Sequence, residues 1–147
     1  MRSGLVVGTD LIGGDAVDGV VATFRDVTEQ RNLERQLSHR AFHDELTGLA
    51  NRALFLDRMD HALRVTRSEA DPVVVLFVDL DDFKAVNDRL GHAAGDQVLV
   101  SVAEILERGV RDSDAVSRYG GEEFAILLPE TSGGLAMGVC ERLRVAI

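Results

Sequence analysis

The feature that most constrains this chain is six consecutive apolar residues, Val73 to Val78 (VVVLFV), followed at once by Asp79-Leu80-Asp81-Asp82. Six residues are too few for a helix of ordinary length, and the run is rich in β-branched side chains. Apolar side chains at every position predict a central strand covered on both faces. The run is also the longest apolar stretch of the 147 residues and far short of the ~20 needed to cross a membrane. A strand of this kind needs other strands beside it and helices over it, which predicts a mixed α and β domain.

The carboxylates that end this strand are the first candidate site. Acidic groups at the C-terminal end of a central strand lie where α/β folds keep their chemistry. Asp79 and Asp81, two apart, would share a face of an extended backbone and suit Mg²⁺, a hard cation that accepts carboxylate oxygens and leaves positions for phosphate and water. An acidic loop that merely ends a strand explains these residues as well. The second candidate is Tyr119-Gly120-Gly121-Glu122-Glu123-Phe124. It lies between two short predicted strands, Ala115 to Arg118 and Phe124 to Leu128. A Gly-Gly hairpin tip turns tightly and admits a ligand against bare backbone. A hairpin beside the Val73–Val78 strand would bring Glu122 near Asp79, where carboxylates of two strands converge on a metal; an ordinary hairpin with a charged shoulder is the other reading. The third comprises Asn87, Gly91-His92 and Gly95-Asp96. An amide and a carboxylate together match a guanine edge, although Asp96 equally suits a helix start.

Around these lie the other elements. Residues 1–27 are glycine-rich and alternating, with a turn at Asp18-Gly19 and a strand at Val17 to Val27. Residues 28–43 lack Gly and Pro. Asp26 and Glu29 have capping-box spacing, and Leu33, Leu37 and Ala41 form a narrow stripe that predicts a coiled-coil linker helix. Asp44 to Asn51 is a turn-rich connector. Asn51 is expected to cap a helix from Arg52 to about Arg67 that buries Phe55, Met59 and Leu63. Asp79 to Gly91 reads as polar loop around Phe83, and Ala94 to Gly109 as a helix with Val98, Val102 and Ile105 inward. A last helix carries Leu135, Val139 and Leu143.

The charge balance excludes some partners. Sixteen Lys and Arg against 25 Asp and Glu leave a net charge of −9. A coat for nucleic acid or an anionic membrane needs clustered cations, so neither partner is expected. A small anionic ligand is compatible only if a metal mediates. The single cysteine, Cys140, precludes an internal disulfide, and the N-terminus makes a poor signal peptide, which predicts a cytoplasmic chain.

In this order, Asp44 to Arg52 (DELTGLANR), Asp79 to Asp88 (DLDDFKAVND), Gly91 to Asp96 (GHAAGD) and Arg118 to Phe124 (RYGGEEF) closely resemble the GGDEF family of diguanylate cyclases, here with Glu122 in the variable position. Asp18 to Gln30 (DGVVATFRDVTEQ) is similar to the end of a PAS sensor domain passing into a signalling helix. The resemblance implies an α+β fold: a palm-like nucleotide-cyclase arrangement with a central, mostly antiparallel sheet flanked by helices. It implies a PAS remnant over 1–27, a linker helix over 28–43 and the cyclase domain over 44–147. A strand, a helix bearing phosphate-binding Lys and Arg, and a closing strand of the family are expected to be missing after Ile147. Lys84 is the only lysine. Their loss would leave sheet unpaired and invite aggregation.

The implied reaction condenses two GTP into cyclic di-GMP and releases two pyrophosphates, with one GTP held by each domain of a homodimer. The cofactor would be Mg²⁺ or Mn²⁺, held by Asp79, Glu122 and the Leu80 carbonyl. Glu122, Asp79 and Glu123 would be the catalytic carboxylates. Lys84 and the backbone at Asp82-Phe83 would meet the terminal phosphates, Asn87 and Asp96 would read guanine, and Gly120 and Gly121 would lie against the nucleotide. Arg111-Asp112-Ser113-Asp114, the one R-x-x-D of the chain, falls where the family binds its product for inhibition, which implicates Arg111 and Asp114. A module that binds GTP or cyclic di-GMP without turnover, and a fragment that only dimerises through the 28–43 helix, are the competing expectations.

Overall fold

A computed structural model describes residues 4–10, 20–66 and 72–147, with side chains of 4–10, 20–25 and 34–39 excepted. The expected turn at Asp18-Gly19 lies outside the described residues. The chain divides into two units, 1–39 and 40–147. In the first, β1 (Gly4–Asp10) and β2 (Val20–Asp26) pair antiparallel, Gly4 opposite Asp26. α1 (Thr28–Phe42) follows. Its start departs from the expected capping box: the Asp26 carboxylate accepts the Thr28 amide at 2.9 Å, a turn two residues long. The Thr28 side chain and then its amide, both bonded to that carboxylate, lower the Asp26 pKa. Leu33 stands 54 % exposed on the helix surface.

The second unit is built on four strands. β3 (Ala50–Asn51) leads into α2 (Arg52–Val65), then come β4 (Val74–Asp79), α3 (Phe83–Leu90), α4 (His92–Arg108), β5 (Ala115–Arg118), β6 (Glu123–Leu128) and α5 (Gly133–Ala146). The sheet order is β3-β5-β6-β4; β5, β6 and β4 are antiparallel neighbours and β3 runs parallel to β5. The fold is thus the expected α+β sheet flanked by helices.

The period of two in β6 divides the core. Phe124, Ile126 and Leu128 point to one face, where Leu99, Val102, Ala103 and Leu106 of α4 and Val139 and Leu143 of α5 cover them. Ala125 and Leu127 point to the other, against Phe55, Met59 and Ala62 of α2. β4 also serves both faces, with Val74, Leu76 and Val78 on the first and Val75, joined by Val73 just before the strand, on the second. It is nevertheless an end strand among the described residues rather than a central one, and Phe77 is 66 % exposed. The innermost strand is β6, buried at five of its six positions.

Four helical expectations need correction. Asp79 to Gly91 is mostly helix, not loop, since α3 occupies Phe83–Leu90 and buries Phe83. On α2 the inward residue is Ala62, while Leu63 is 57 % exposed. Seven residues bring a helix to within about 20° of its starting azimuth and eight overshoot by about 80°, so Phe55, Met59 and Ala62 make the stripe. By the same rotation Leu99, Val102, Ala103 and Leu106 line α4 while Ile105 is half-buried, and Ala136 rather than Leu135 opens the buried side of α5. The Asn51 cap is as expected: its side-chain oxygen accepts the Leu54 amide at 3.1 Å. Among the described residues no helix is long and apolar enough to cross a membrane, and Cys140 is a free, exposed thiol.

Candidate functional site

The β4–β6 ladder decides how the acidic clusters meet. Its last register pair is Asp79 opposite Glu123. Glu122 is the residue before Glu123, on the turn that joins β5 to β6. Two motifs far apart in sequence are therefore brought to one end of the sheet. Asp79 and Glu123 are exposed and Glu122 is half-buried. Asp81 lies in the turn after β4, so the extended backbone that would align it with Asp79 ends one residue too soon. Asp79, Leu80, Asp81 and Phe83 line a cavity of about 600 Å³ whose inner wall includes Leu76 and Val102.

Asp82 has φ +58°, a left-handed conformation uncommon for a residue with a side chain, and it turns the chain from β4 into α3. The first turn of α3 then carries the exposed Lys84, while the Phe83 amide donates to the Leu80 carbonyl and those of Ala85 and Val86 to the Asp82 carbonyl. Asn87, half-buried one turn further on, leans against α4. A methyl placed on Gly95 would lie 2.1 Å from Asn87 Oδ1 and 3.1 Å from Phe83 Cζ. Glycine is required there by close approach, and it sets Asn87 beside the residue that precedes Asp96. Gly95→Ala should therefore displace the Asn87 amide, since Phe83 behind it is packed in the core. The Asn87 side-chain amide resonances should move in nitrogen-15 spectra, with far-ultraviolet circular dichroism unchanged. Unmoved Asn87 resonances would contradict the close contact with Gly95.

The hairpin tip behaves differently from the simple expectation. Neither Gly120 nor Gly121 has a positive φ. Gly120 is instead a matter of space, because a Cβ there would stand 2.4 Å from Glu123 Oε2; the side of Gly121 is open. The amides of Tyr119 and Gly120 both donate to the Glu123 carbonyl, at 2.8 and 3.2 Å. The Tyr119 ring makes edge contacts with Phe55 and Phe77 at 5.8 and 5.3 Å, and Arg52 lies 4.9 Å over its face. An aromatic anchor thus fixes the root of the turn to α2 and β4.

The connector Asp44 to Asn51 contains a contact that sequence inspection missed. Arg118 Nη1 donates to both Asp44 carboxylate oxygens, at 3.1 and 3.2 Å, with side chains only 16 % and 24 % exposed. The Thr47 amide and hydroxyl donate to the same carboxylate at 2.9 and 2.8 Å. Burial alone would raise the Asp44 pKa, but the Thr47 hydrogen bonds and the Arg118 guanidinium outweigh it and hold the carboxyl below its ordinary 3.8. A depressed folded-state pKa contributes stability above the unfolded value and loses it as pH falls through the lower folded one. A carbon-13 titration should accordingly place the Asp44 midpoint below 3.8, and Arg118→Ala should move it upward. A midpoint at or above the ordinary value would contradict the pairing.

Arg111 and Asp114 close on each other, the Arg111 amide donating to Asp114 Oδ2 and the Asp114 amide to the Arg111 carbonyl, at 2.9 and 3.0 Å. Both line a cavity of about 260 Å³ that also contains Arg142, whose guanidinium donates to the Gly109 carbonyl at 2.7 Å. Arg142, on α5, carries no local motif and could be found only through the fold. Gly120 and Gly121 border a different cleft, of about 450 Å³, with Arg52 and Arg118.

No three His, Cys, Asp or Glu residues converge into a preformed metal cage among the described residues. The carboxylates of Asp79 and Glu122 and the Leu80 carbonyl are hard oxygen donors without sulfur or imidazole. Such a set fits Mg²⁺, which commonly takes one or two carboxylates and completes its shell with phosphate and water, and does not fit a structural zinc.

The model of the family described as "Diguanylate cyclase, GGDEF domain" matches residues 41–147. The diguanylate cyclase TpbB of Pseudomonas aeruginosa is 49 % identical over 108 residues, 73 % of this chain and 25 % of TpbB. The diguanylate cyclase DgcM of Escherichia coli K12 is 43 % identical over 122 residues, 83 % of this chain and 30 % of DgcM. The chain thus spans under a third of the length of these relatives. Among solved structures, the coiled coil and GGDEF domain of DgcB from Caulobacter crescentus in complex with c-di-GMP superimposes with a TM-score of 0.73 at 32 % identity, over 80 % of this chain and 61 % of that one. A form of TpbB comprising only the GGDEF domain gives 0.68 at 48 % identity, over 71 % and 61 %.

Proposed function

Because the chain belongs to the GGDEF family of diguanylate cyclases, we propose that its sheet end binds GTP and condenses two molecules into cyclic di-GMP, releasing two pyrophosphates. The observation that carries this is the β4–β6 register, which sets Asp79 opposite Glu123 with Glu122 adjoining it on the hairpin turn.

In this reading Asp79, Glu122 and the Leu80 carbonyl hold Mg²⁺ or Mn²⁺. Bound there, the ion would neutralise charge on the α-phosphate and the leaving pyrophosphate and ease deprotonation of the attacking 3′-hydroxyl. The chain's own groups do the rest. Lys84 and the backbone at Asp82-Phe83 receive the terminal phosphates. Asn87 accepts from or donates to the guanine edge, and Asp96 accepts from its N1–H and N2–H₂. Glu122 also takes the proton of the attacking hydroxyl, and Glu123 steers cations toward the site. Gly120 and Gly121 keep the backbone bare where the nucleotide lies.

Each domain holds one GTP, so two copies must face each other; the linker helix and the catalytic unit are the surfaces proposed to pair them. We read 1–27 as the end of a PAS sensor domain, supported by the DGVVATFRDVTEQ stretch, with 28–43 as the signalling helix and 44–147 as the cyclase domain. Arg111 and Asp114 are the proposed product-inhibition site, and the adjoining cavity, with Arg142 beside it, supports binding of the doubly anionic product. Formation of cyclic di-GMP from GTP and Mg²⁺, lost in Asp79→Asn, is the test.

A further inference from the structure

The motif Asp44 to Asn51 is left without a role by the nucleotide chemistry, yet among the described residues it makes the one long-range ion pair to the hairpin strands. Arg118, the last residue of β5, spreads its guanidinium over two targets. Nε and Nη2 both donate to the Gly121 carbonyl, at 3.0 and 2.8 Å. Nη1 donates to the Asp44 carboxylate. Asp44 is in turn immobilised: its amide donates to the Leu49 carbonyl at 2.9 Å, its carbonyl accepts the Gly48 amide at 2.9 Å, and Thr47 holds its carboxylate.

The peptide that ends in the Gly121 carbonyl begins the amide of Glu122. Gripping that oxygen from two nitrogens restricts the rotation of the peptide plane and so the direction in which the Glu122 side chain leaves the turn. Neither Gly120 nor Gly121 has a Cβ to restrict the turn by itself, and no ladder bond between β5 and β6 reaches beyond the Glu123 carbonyl.

We propose that Arg118 is a positioning residue: anchored on Asp44, it clamps the Gly121 carbonyl and thereby aims Glu122 at the site shared with Asp79. Its consequence for turnover rests on the cyclase reading; the clamp itself does not. A planar fork is needed because one side chain must serve a carbonyl and a carboxylate at once, from different nitrogens. Lysine keeps the charge but offers a single ammonium point, so it should fail at this position.

The test compares Arg118→Ala, Arg118→Lys and Asp44→Asn by backbone-resolved amide hydrogen exchange and by steady-state kinetics with GTP and Mg²⁺. The clamp predicts exchange at Tyr119 and Gly120, the two amides bound to the Glu123 carbonyl, that is at least about tenfold faster in Arg118→Ala and Arg118→Lys, with the amides of Ala125 and Leu127 in the sheet unchanged. Asp44→Asn, which keeps the Gly121 contacts, should fall between. The kcat for cyclic di-GMP should drop at least about tenfold, by more than any rise in KM for GTP, because Lys84, Asn87 and Asp96 lie outside the clamp.

Hairpin exchange unaltered in Arg118→Ala, or full rescue of hairpin exchange and kcat by lysine, would overturn the clamp. Loss of protection across β4 and β6 alike would show a general stabilising role and also overturn it. If Arg118→Ala does not fold, the intermediate behaviour required of Asp44→Asn decides alone. A wild-type protein without turnover whose hairpin still responds to Arg118 would refute the cyclase reading and leave the clamp standing.

Discussion

Glu122→Gln should reduce cyclic di-GMP formation by at least about a hundredfold while leaving the fold intact. Glutamine keeps the length and one oxygen of glutamate but removes the negative charge, so the substitution isolates electrostatics from shape. Removing a single charge-stabilising group from a reaction centre typically costs about two to three powers of ten, and this carboxylate is assigned both to the cation and to the proton of the attacking hydroxyl. Glu122 is only half-buried and its side chain makes no hydrogen bond to the described residues, so the urea midpoint should stay within error of wild type. Glu130→Gln serves as the comparison. It removes an equal charge from the opposite end of β6, at an exposed position with φ +50°, and should leave turnover unaltered. Equal effects from the two would show that net charge, not the sheet-end site, governs the rate.

The largest effect on stability is expected from Phe124→Ala, a loss of about 3–5 kcal/mol. Phe124 is 0 % exposed and lies in the cluster joining β6 to α4 and α5. It also pairs with Val78 on one side and Arg118 on the other. Its truncation would open a cavity under both strands that carry the site. Since domains of this size have about 5–15 kcal/mol in hand, the midpoint in urea should fall steeply, and the thermal midpoint by about 10–20 °C. Phe77→Ala is the discriminating partner, being the same change at a ring that is 66 % exposed. It gives up only the edge contact with Tyr119 and should cost about 1 kcal/mol. Comparable losses would mean that burial on β6 is not what holds the unit together.

How far the sequence discloses this molecule can be followed residue by residue. The Val73–Val78 run is a strand with both faces in use, as uniform apolarity requires, but uniformity says nothing about the number of neighbours. The Phe124 to Leu128 run, one residue shorter, is the innermost strand instead. α3 escaped notice because Asp, Lys, Asn and Arg dominate its eight residues, and only Phe83 and Val86, one helical turn apart, record its inward side. On α2 the choice between Ala62 and Leu63 favours the bulkier residue if composition is weighed, and the smaller one once the helical rotation is followed. The approach of Glu122 to Asp79 was legible once a hairpin was set beside the run, but the exact register, which puts Glu123 rather than Glu122 opposite Asp79, was not. The Arg118–Asp44 pair, separated by 74 residues, was not. Each partner sits within a recognisable motif, but no local pattern links a connector to a hairpin; only the β3–β5 pairing brings them together.

The most direct measurement is product formation by the purified protein with GTP and Mg²⁺, following cyclic di-GMP and pyrophosphate together. The account predicts two pyrophosphates for each cyclic di-GMP, a rate that rises more steeply than linearly with protein concentration where dimers are scarce, and loss of both products in EDTA or in Asp79→Asn. Cyclic di-GMP formation that persists undiminished in Asp79→Asn, or GTP binding without either product, would contradict it.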